Sequence, residues 1–424
     1  QLDADNELLR GTAIIEDHAG QDGPDSGVDL SALDRETRPQ DDFYQFVNGG
    51  WLDHTEIPEI YSGYTVYHQV NEEAEKALRT IIEAAAKNQG EPGSEAQQVG
   101  DIYSSFMDEE KINQAGIQPA RPELNLVDSI DGPEDLAGVM ATLNRRGVMV
   151  PFDVAIFPDL KDSARYAVYF DQSGLTMPNR DYYVETDNEN FATAREALPA
   201  YIANMLMISG MDATEAEAAA KKVYAIETRL AEAQWDSVDN RNPDKIYNPY
   251  PVDSLEKLGV NLDWPVIRAT LGINAAEKLI IEQPSFMMAL DKMIAETAVD
   301  DWKNYLRFRI LDSYGTNLDQ TTADARFEYR NRILNGQQTE RPRWKLGISK
   351  VNRMVGESVG KLYVAEYFPP EAKVKMQELV ANVIATLDND LNTLEWMSPE
   401  TRQMARNKLS KFTAKIGYPD EWKD

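Results

Sequence analysis

Histidine is the scarcest reactive residue in this 424-residue chain, which has only His18, His54 and His68. A zincin site of the H-E-x-x-H type needs two imidazoles one helical turn apart facing a single metal, with a glutamate between them to activate the bound water. No such pair occurs, and no histidine follows His68. His68 and Glu72 are four apart and can share a helix face, but no third ligand is suggested nearby. A surface contact at a helix start explains that pair equally well. His18 lies in a polar leader and His54 follows Gly49-Gly50-Trp51-Leu52, read here as a turn; both read as solvated structural residues. Cysteine is absent, which excludes disulfides, thiolate metal sites and cysteine nucleophiles.

Gly356-Glu357-Ser358-Val359-Gly360 matches the G-x-S-x-G nucleophile elbow letter for letter. The elbow requires a buried strand before the serine and a histidine after it, whereas Lys350-Val-Asn-Arg-Met-Val355 is polar and no later histidine exists. A small-residue helix-packing site is the expectation instead. No phosphate-binding glycine loop of the P-loop or dinucleotide type appears. Carboxylates are so abundant that a pair such as Asp388 and Asp390 says nothing about glycosidase chemistry.

Seventy-two acidic residues oppose 43 basic ones, a formal charge of −29. That field repels phosphate backbones and anionic lipid, so nucleic acid and membrane are poor partners. Its simplest meaning is a solvated surface, and capture of cationic peptides is the sharper alternative. No stretch has the roughly 18 apolar residues of a membrane span. The start, Gln1 to Arg10, is polar and acidic, the opposite of a secretory signal, so an export signal, if there was one, has been removed.

Length predicts two or three structural units. Residues 1–40 read as a flexible acidic leader, with folded structure from about Asp41. Ala74, Leu78, Ile81 and Ile82 share a face and predict a helix from Asn71 to about Asn88, with Glu72 and Glu73 in its first turn. Phe152–Phe157 and Arg165–Phe170 predict a β-hairpin. Asp212-Ala-Thr-Glu215 opens another long helix through Ala219, Val223, Ile226 and Leu230. Met376, Leu379, Val383, Leu387, Leu391 and Leu394 mark a third. A fourth starts at Ser398-Pro399-Glu400 and is expected to end at Gly417 and Pro419. The class is mainly α: a large helical lobe with one small β-hairpin and no solenoid repeat.

Several strings resemble the neprilysin family of zinc metallopeptidases, which includes endothelin-converting enzymes and bacterial oligopeptidase O. They are Asp41-Asp-Phe-Tyr-Gln-Phe-Val-Asn-Gly-Gly-Trp-Leu52 with Ile57-Pro58, and Leu175-x-x-Pro-Asn-Arg-Asp-Tyr-Tyr183. Arg241-Asn-Pro-Asp244 with Tyr247-Asn248, Val355-Gly-x-x-x-Gly-Lys-Leu-Tyr363 and Ile416-Gly-Tyr-Pro-Asp420 follow in the family's order. The resemblance covers Asp41 to the C-terminus, so residues 41–424 are expected to form the family's N-terminal helical domain, part of a two-lobed fold. In that family the zinc motif, the downstream glutamate ligand and the transition-state histidine lie beyond the Ile-Gly-Tyr-Pro-Asp segment. The resemblance therefore implies a substrate-chamber half that binds no zinc itself and is inactive alone. Zinc would belong to the complete enzyme, a peptide would be the substrate, and a non-covalent C-terminal catalytic half the partner. The alternative is a non-enzymatic helical peptide-binding or scaffold protein on the same fold. An exported, extracytoplasmic bacterial setting is expected.

The resemblance also points to substrate contacts in Tyr61-Ser-Gly-Tyr-Thr-Val-Tyr-His-Gln-Val-Asn71. An arginine that grips the C-terminal side of the peptide in mammalian relatives corresponds to Gly63, and an aspartate and an arginine correspond to His68 and Asn71. With those cations gone, preference for peptides ending just past the cut is expected to be weak. Tyr67 keeps the aromatic character of the residue that packs on the side chain before the scissile bond. The competing expectation is that Tyr67 packs in the core beside Tyr64.

Overall fold

In a computed structural model describing residues 29–423, helices dominate and one small sheet accompanies them. His18 and the Gly20–Gly27 stretch lie outside the described residues. Among the helices, in chain order, are α1 (Phe43–His54), α2 (Val66–Asn88), α3 (Glu95–Met107), α4 (Glu189–Ile208), α5 (Ala213–Ala233), α6 (Val299–Tyr314), α7 (Arg343–Tyr367), α8 (Pro370–Thr393) and α9 (Pro399–Leu409). The strands are β1 (Phe152–Asp159), β2 (Asp162–Gln172), β3 (Pro249–Pro251) and β4 (Lys278–Ile281). The chain divides into two units, one formed by the sequence up to Met107 together with that from Arg341 onward, the other by Asp108–Glu340.

In the Asp108–Glu340 unit, β1 and β2 form the expected antiparallel hairpin, with Val154 opposite Phe170 and Ile156 opposite Val168. The sheet is larger than the hairpin, with order β1-β2-β4-β3. The buried Leu279-Ile280-Ile281 run of β4 lies parallel to β2, and β3 pairs antiparallel to β4. Both added strands are only three or four residues long, too short for an alternation to register. Helices α4 and α5 pack on one another and on α6, whose Trp302, Tyr305 and Phe308 are wholly buried.

That core encloses charge. Glu227 of α5 accepts from the Thr176 amide at 3.1 Å, the Thr176 hydroxyl at 2.7 Å and the Tyr183 hydroxyl at 2.5 Å, with the Arg309 guanidinium 3.7 Å away. Burial pushes the Glu227 carboxyl above its ordinary range against the pull of Arg309 and these hydrogen bonds. A π-helical turn over Glu328–Ile333 presents Arg330, which pairs with Asp312 and the Thr176 carbonyl. Asp312 also takes the Tyr201 hydroxyl at 2.7 Å. Burial opposes its charge, yet Arg330 and Arg309 hold its carboxyl well below the usual range.

In the other unit, α2, α3 and α7 share a core of Ile82, Ala85, Val99, Tyr103, Ile348, Val351 and Val359. The Gly49–Leu52 string is not a turn but lies inside α1, capped by the Asp42 carboxylate on the Gln45 amide. Glycine is a poor helix former, and here it serves close approach: a Cβ on Gly49 would lie 2.5 Å from Asp34 Cβ, and one on Gly50 2.6 Å from the Ser31 carbonyl. The described residues before Asp41 are held to α1, the Asp34 amide donating to the Phe46 carbonyl at 3.0 Å.

Two helix boundaries differ from expectation. Helix α2 starts at Val66 rather than Asn71, because the His68 ring takes the Thr65 amide on Nδ1 at 3.1 Å and closes the helix start. Glu72 and Glu73 therefore lie beyond the first turn. Helix α9, capped by the Ser398 hydroxyl on the Thr401 amide, stops at Leu409, well before Gly417. Helices α5 and α8 agree with their sequence patterns.

Candidate functional site

The segment singled out from sequence runs into the start of α2 and places its residues unequally. Tyr67 is 83% exposed, which removes the expectation that it packs in the core beside Tyr64. Val66 and Val70 are exposed with it, so the helix opens on an apolar surface. Gly63 precedes the helix in open space, where an added side chain meets nothing within 4 Å. His68 and Asn71 face a cleft of about 390 Å³ that Tyr61, Ala74, Glu75, Leu78, Arg341, Ile348, Ser349 and Asn352 complete. The structure thus joins His68 and Asn71 in one cleft but leaves Gly63 and Tyr67 off its walls.

The cleft's polar wall is preorganised. Tyr61 and Tyr64 donate to the two carboxylate oxygens of Glu72 at 3.1 and 3.0 Å, and their rings flank the His68 ring at 4.9 and 5.6 Å between centroids. The Lys345 ammonium, nearly buried, lies 3.5 Å from Glu72 and 2.8 Å from Glu75, while Arg341 pairs with the other Glu75 oxygen. Burial works against charge on Glu72, but the two phenols and Lys345 outweigh it and set the carboxyl below its ordinary value. Lys345 is raised, the carboxylate of Glu75 and the Tyr61 hydroxyl outweighing burial. Both glutamates are already paired with protein cations.

These commitments decide what the site cannot do as it stands. His68 spends Nδ1 on Thr65 and Glu72 spends both oxygens on tyrosines, so the pair with metal-like spacing is a packed structural unit. The His54 Nδ1 lies 2.7 Å from the Gly50 carbonyl. Among the described residues no group of three His, Cys, Asp or Glu is placed to hold a metal ion. Ser358 of the G-x-S-x-G string sits inside α7 with its hydroxyl on Gln98 at 3.0 Å, and Gly360 abuts the Trp422 ring, 2.9 Å from where a Cβ would be. That is helix packing rather than a nucleophile elbow. Asp388 is clamped by Arg406 at 2.8 and 3.1 Å.

Sequence reasoning missed Glu75, Arg341, Lys345, Ser349 and Asn352. The partners of Glu75 stand some 266 positions away, and no local periodicity links such positions. The family-like strings are mostly architectural. Tyr183 binds Glu227; the Asn242 side chain caps a short helix by accepting from the Asp244 amide at 3.0 Å; and the Tyr418 carbonyl and Asp420 carboxylate take the Lys373 ammonium at 2.8 and 2.7 Å.

Comparison with known proteins agrees with this architecture. Human membrane metallo-endopeptidase-like 1 is 28% identical over 422 residues, an alignment covering 92% of this chain and 53% of that protein. Mouse neprilysin is 26% identical over 432 residues, covering 92% of this chain and 56% of its own length. The crystal structure of Mycobacterium tuberculosis zinc metalloprotease ZMP1 in complex with inhibitor is 38% identical and superposes with a TM-score of 0.88, covering 94% of this chain and 60% of that one. The chain spans about half the length of the curated relatives it matches. Residues 39–419 match the N-terminal signature of peptidase family M13, and the chain belongs to that family.

Proposed function

We propose that this chain is the substrate-chamber half of an exported zinc metalloendopeptidase that cleaves peptides, inactive until joined by the C-terminal portion of the family protein that carries the zinc residues. That portion is either the continuation of the same polypeptide or a separate one held non-covalently. The observation that carries the reading is helix α8. Its 24 residues bury only Lys373 and Leu391, while Met376, Leu379, Val383 and Leu387 line one face, 43–60% exposed. Trp396, Met404 and Phe412 nearby are more exposed still. A soluble helix that turns a continuous apolar stripe outward marks a surface made to be covered. The occupant we assign is the C-terminal half, because the chain spans about half of its relatives. Without cysteine, apolar burial rather than a disulfide would hold two separate halves together. Among the described residues no helix is long and apolar enough to cross a membrane.

Within this reading the exposed Tyr67 contacts the substrate side chain before the cut, and the cleft at His68 and Asn71 receives the peptide beyond it. Co-expression of the two halves tests the assembly. One species in size exclusion that gives two bands on denaturing electrophoresis is expected, and Leu379→Asp with Val383→Asp should separate the halves while leaving helix content unchanged. A lone chain that is monodisperse, binds no apolar dye and ignores these substitutions would favour the non-enzymatic scaffold instead.

A further inference from the structure

We infer that residues 412–416 are a strand in waiting, which pairs through its backbone with a strand of the C-terminal half when the two halves meet. The inference rests on the proposed function above and adds to the α8 stripe a second contact of a different kind.

Helix α9 ends at Leu409, and the Lys411 and Phe412 amides donate back to the Lys408 and Leu409 carbonyls at 3.1 and 3.0 Å. From Phe412 to Ile416 the chain then runs without helix, turn or bend. The amides of Thr413, Ala414, Lys415 and Ile416, and the carbonyls of all five residues, have no hydrogen-bond partner among the described residues. Phe412 to Lys415 are exposed. A row of free donors and acceptors of this kind is what an edge strand offers to another chain. The side chains agree, since Phe412, Ala414 and Ile416 alternate with Thr413 and Lys415, the period-two pattern of a strand with one apolar face.

The span is fixed at both ends. Before it stands the last turn of α9. After it Gly417 takes a positive φ of 69°, and a Cβ there would lie 3.1 Å from the Phe368 ring. Lys373 holds the Tyr418 carbonyl at 2.8 Å, and the Trp422 ring packs on Gly360. Anchored ends remove part of the conformational entropy that a loose peptide loses when it joins a sheet.

Charge points to the occupant. Residues 401–419 carry Arg402, Arg406, Lys408, Lys411 and Lys415 and no carboxylate, in a chain of net charge −29. Arg406 is taken by Asp388, whereas Lys408, Lys411 and Lys415 make no ion pair among the described residues. A two-fold pairing with a second copy would turn these lysines toward their own equivalents. The complementary surface is a different one that bears carboxylates beside its strand, and we assign it to the C-terminal half because the chain spans about half of its relatives.

Hydrogen exchange read at single residues tests this in the lone chain and in the complete protein. In the lone chain the amides of residues 413–416 should exchange at nearly the unstructured rate; in the complete protein alternate amides among them should slow by at least about 100-fold. Thr413→Pro and Ala414→Pro remove donors on opposite edges of the strand. One of the two should weaken association of separately made halves by about tenfold, more than the other does, and neither should shift the melting temperature of the lone chain. Fast exchange at all four amides in the complete protein overturns the inference. So does slow exchange in the lone chain, which would assign the cover to the chain itself or, where protection rises with concentration, to a second copy. If Leu379→Asp with Val383→Asp separates the halves while the four amides stay fast in the intact assembly, the proposed function stands and this contact falls. If the halves do not associate and their mixture cleaves no peptide, the proposed function fails, and this inference with it.

Discussion

The Tyr183 hydroxyl donates to the Glu227 carboxylate at 2.5 Å, with both side chains buried. The same hydroxyl accepts from the Thr176 and Met177 amides at 3.2 and 3.1 Å, so one oxygen organises the Leu175–Tyr183 string around a buried acid. Tyr183→Phe removes it while keeping the ring, strands the Met177 amide and weakens support for Glu227. The expected cost is about 2–3 kcal/mol, the range for unsatisfied buried polar groups, read as a lower denaturant midpoint with unchanged m-value. A loss below about 0.5 kcal/mol would mean that the network relaxes freely.

Glu282 gives a pH signature. Burial, with the Asp171 carboxylate beside it, pushes its pKa from an ordinary 4.5 up to about 7. The folded state therefore holds a proton that the unfolded state has lost between those values. The sign follows: the contribution to stability is full below about pH 4.5 and is lost as pH rises through 7. Glu282→Gln keeps the shape without the titration. Its melting temperature should exceed that of the wild type at pH 8 and converge with it at pH 4.5, and a gap that is constant across pH would contradict the assignment.

Much of the fold is legible in sequence because its signals are local. The α5 and α8 stripes, the Ser398 cap of α9 and the β1–β2 hairpin all depend on residues within a few turns of each other. What escapes is non-local or atypical. Strand β4 exists because it pairs with β2, more than a hundred residues earlier. The start of α2 hides because a histidine, not a glutamate, returns to its cap. In the candidate site, Tyr61 through Asn71 are marked as substrate contacts only through family resemblance, while Glu72 and Glu75 gain their ion-pair partners Lys345 and Arg341 through folding alone. The α8 stripe was legible as a helix, but its exposure was not, since an amphipathic pattern does not say whether its covering surface lies in the same unit.

The Ile416–Asp420 string should depend on one lysine. Lys373 is nearly buried, binds the Tyr418 carbonyl and Asp420, and lies 4.3 Å from the centre of the Tyr418 ring. Lys373→Met keeps the stem and removes the charge, for an expected loss of about 1–3 kcal/mol. Limited proteolysis should then cut faster between Lys411 and Lys423. Equal cleavage rates would show that the edge-on contact of Tyr418 with Phe368 and its stack on Trp422 hold the segment without the lysine.

Substrate selectivity should respond to Gly63 and Tyr67. An arginine fits at Gly63 because nothing lies within 4 Å of its first side-chain atom, and it would restore a cation beside the cleft. In the complete enzyme Gly63→Arg should strengthen preference for peptides with a free carboxylate two residues past the cut, by about tenfold. Tyr67→Ala should slow turnover of substrates with bulky groups before the cut. Unchanged selectivity in both would remove this segment from the substrate path.

On the proposed function, this chain needs the C-terminal half of the family protein for peptide cleavage. The direct measurement is peptide cleavage by the isolated, folded chain supplied with one equivalent of zinc, beside the same chain co-purified with the C-terminal half. No turnover from the first and chelator-sensitive turnover from the second is the predicted result; chelator-sensitive cleavage by the isolated chain would contradict it.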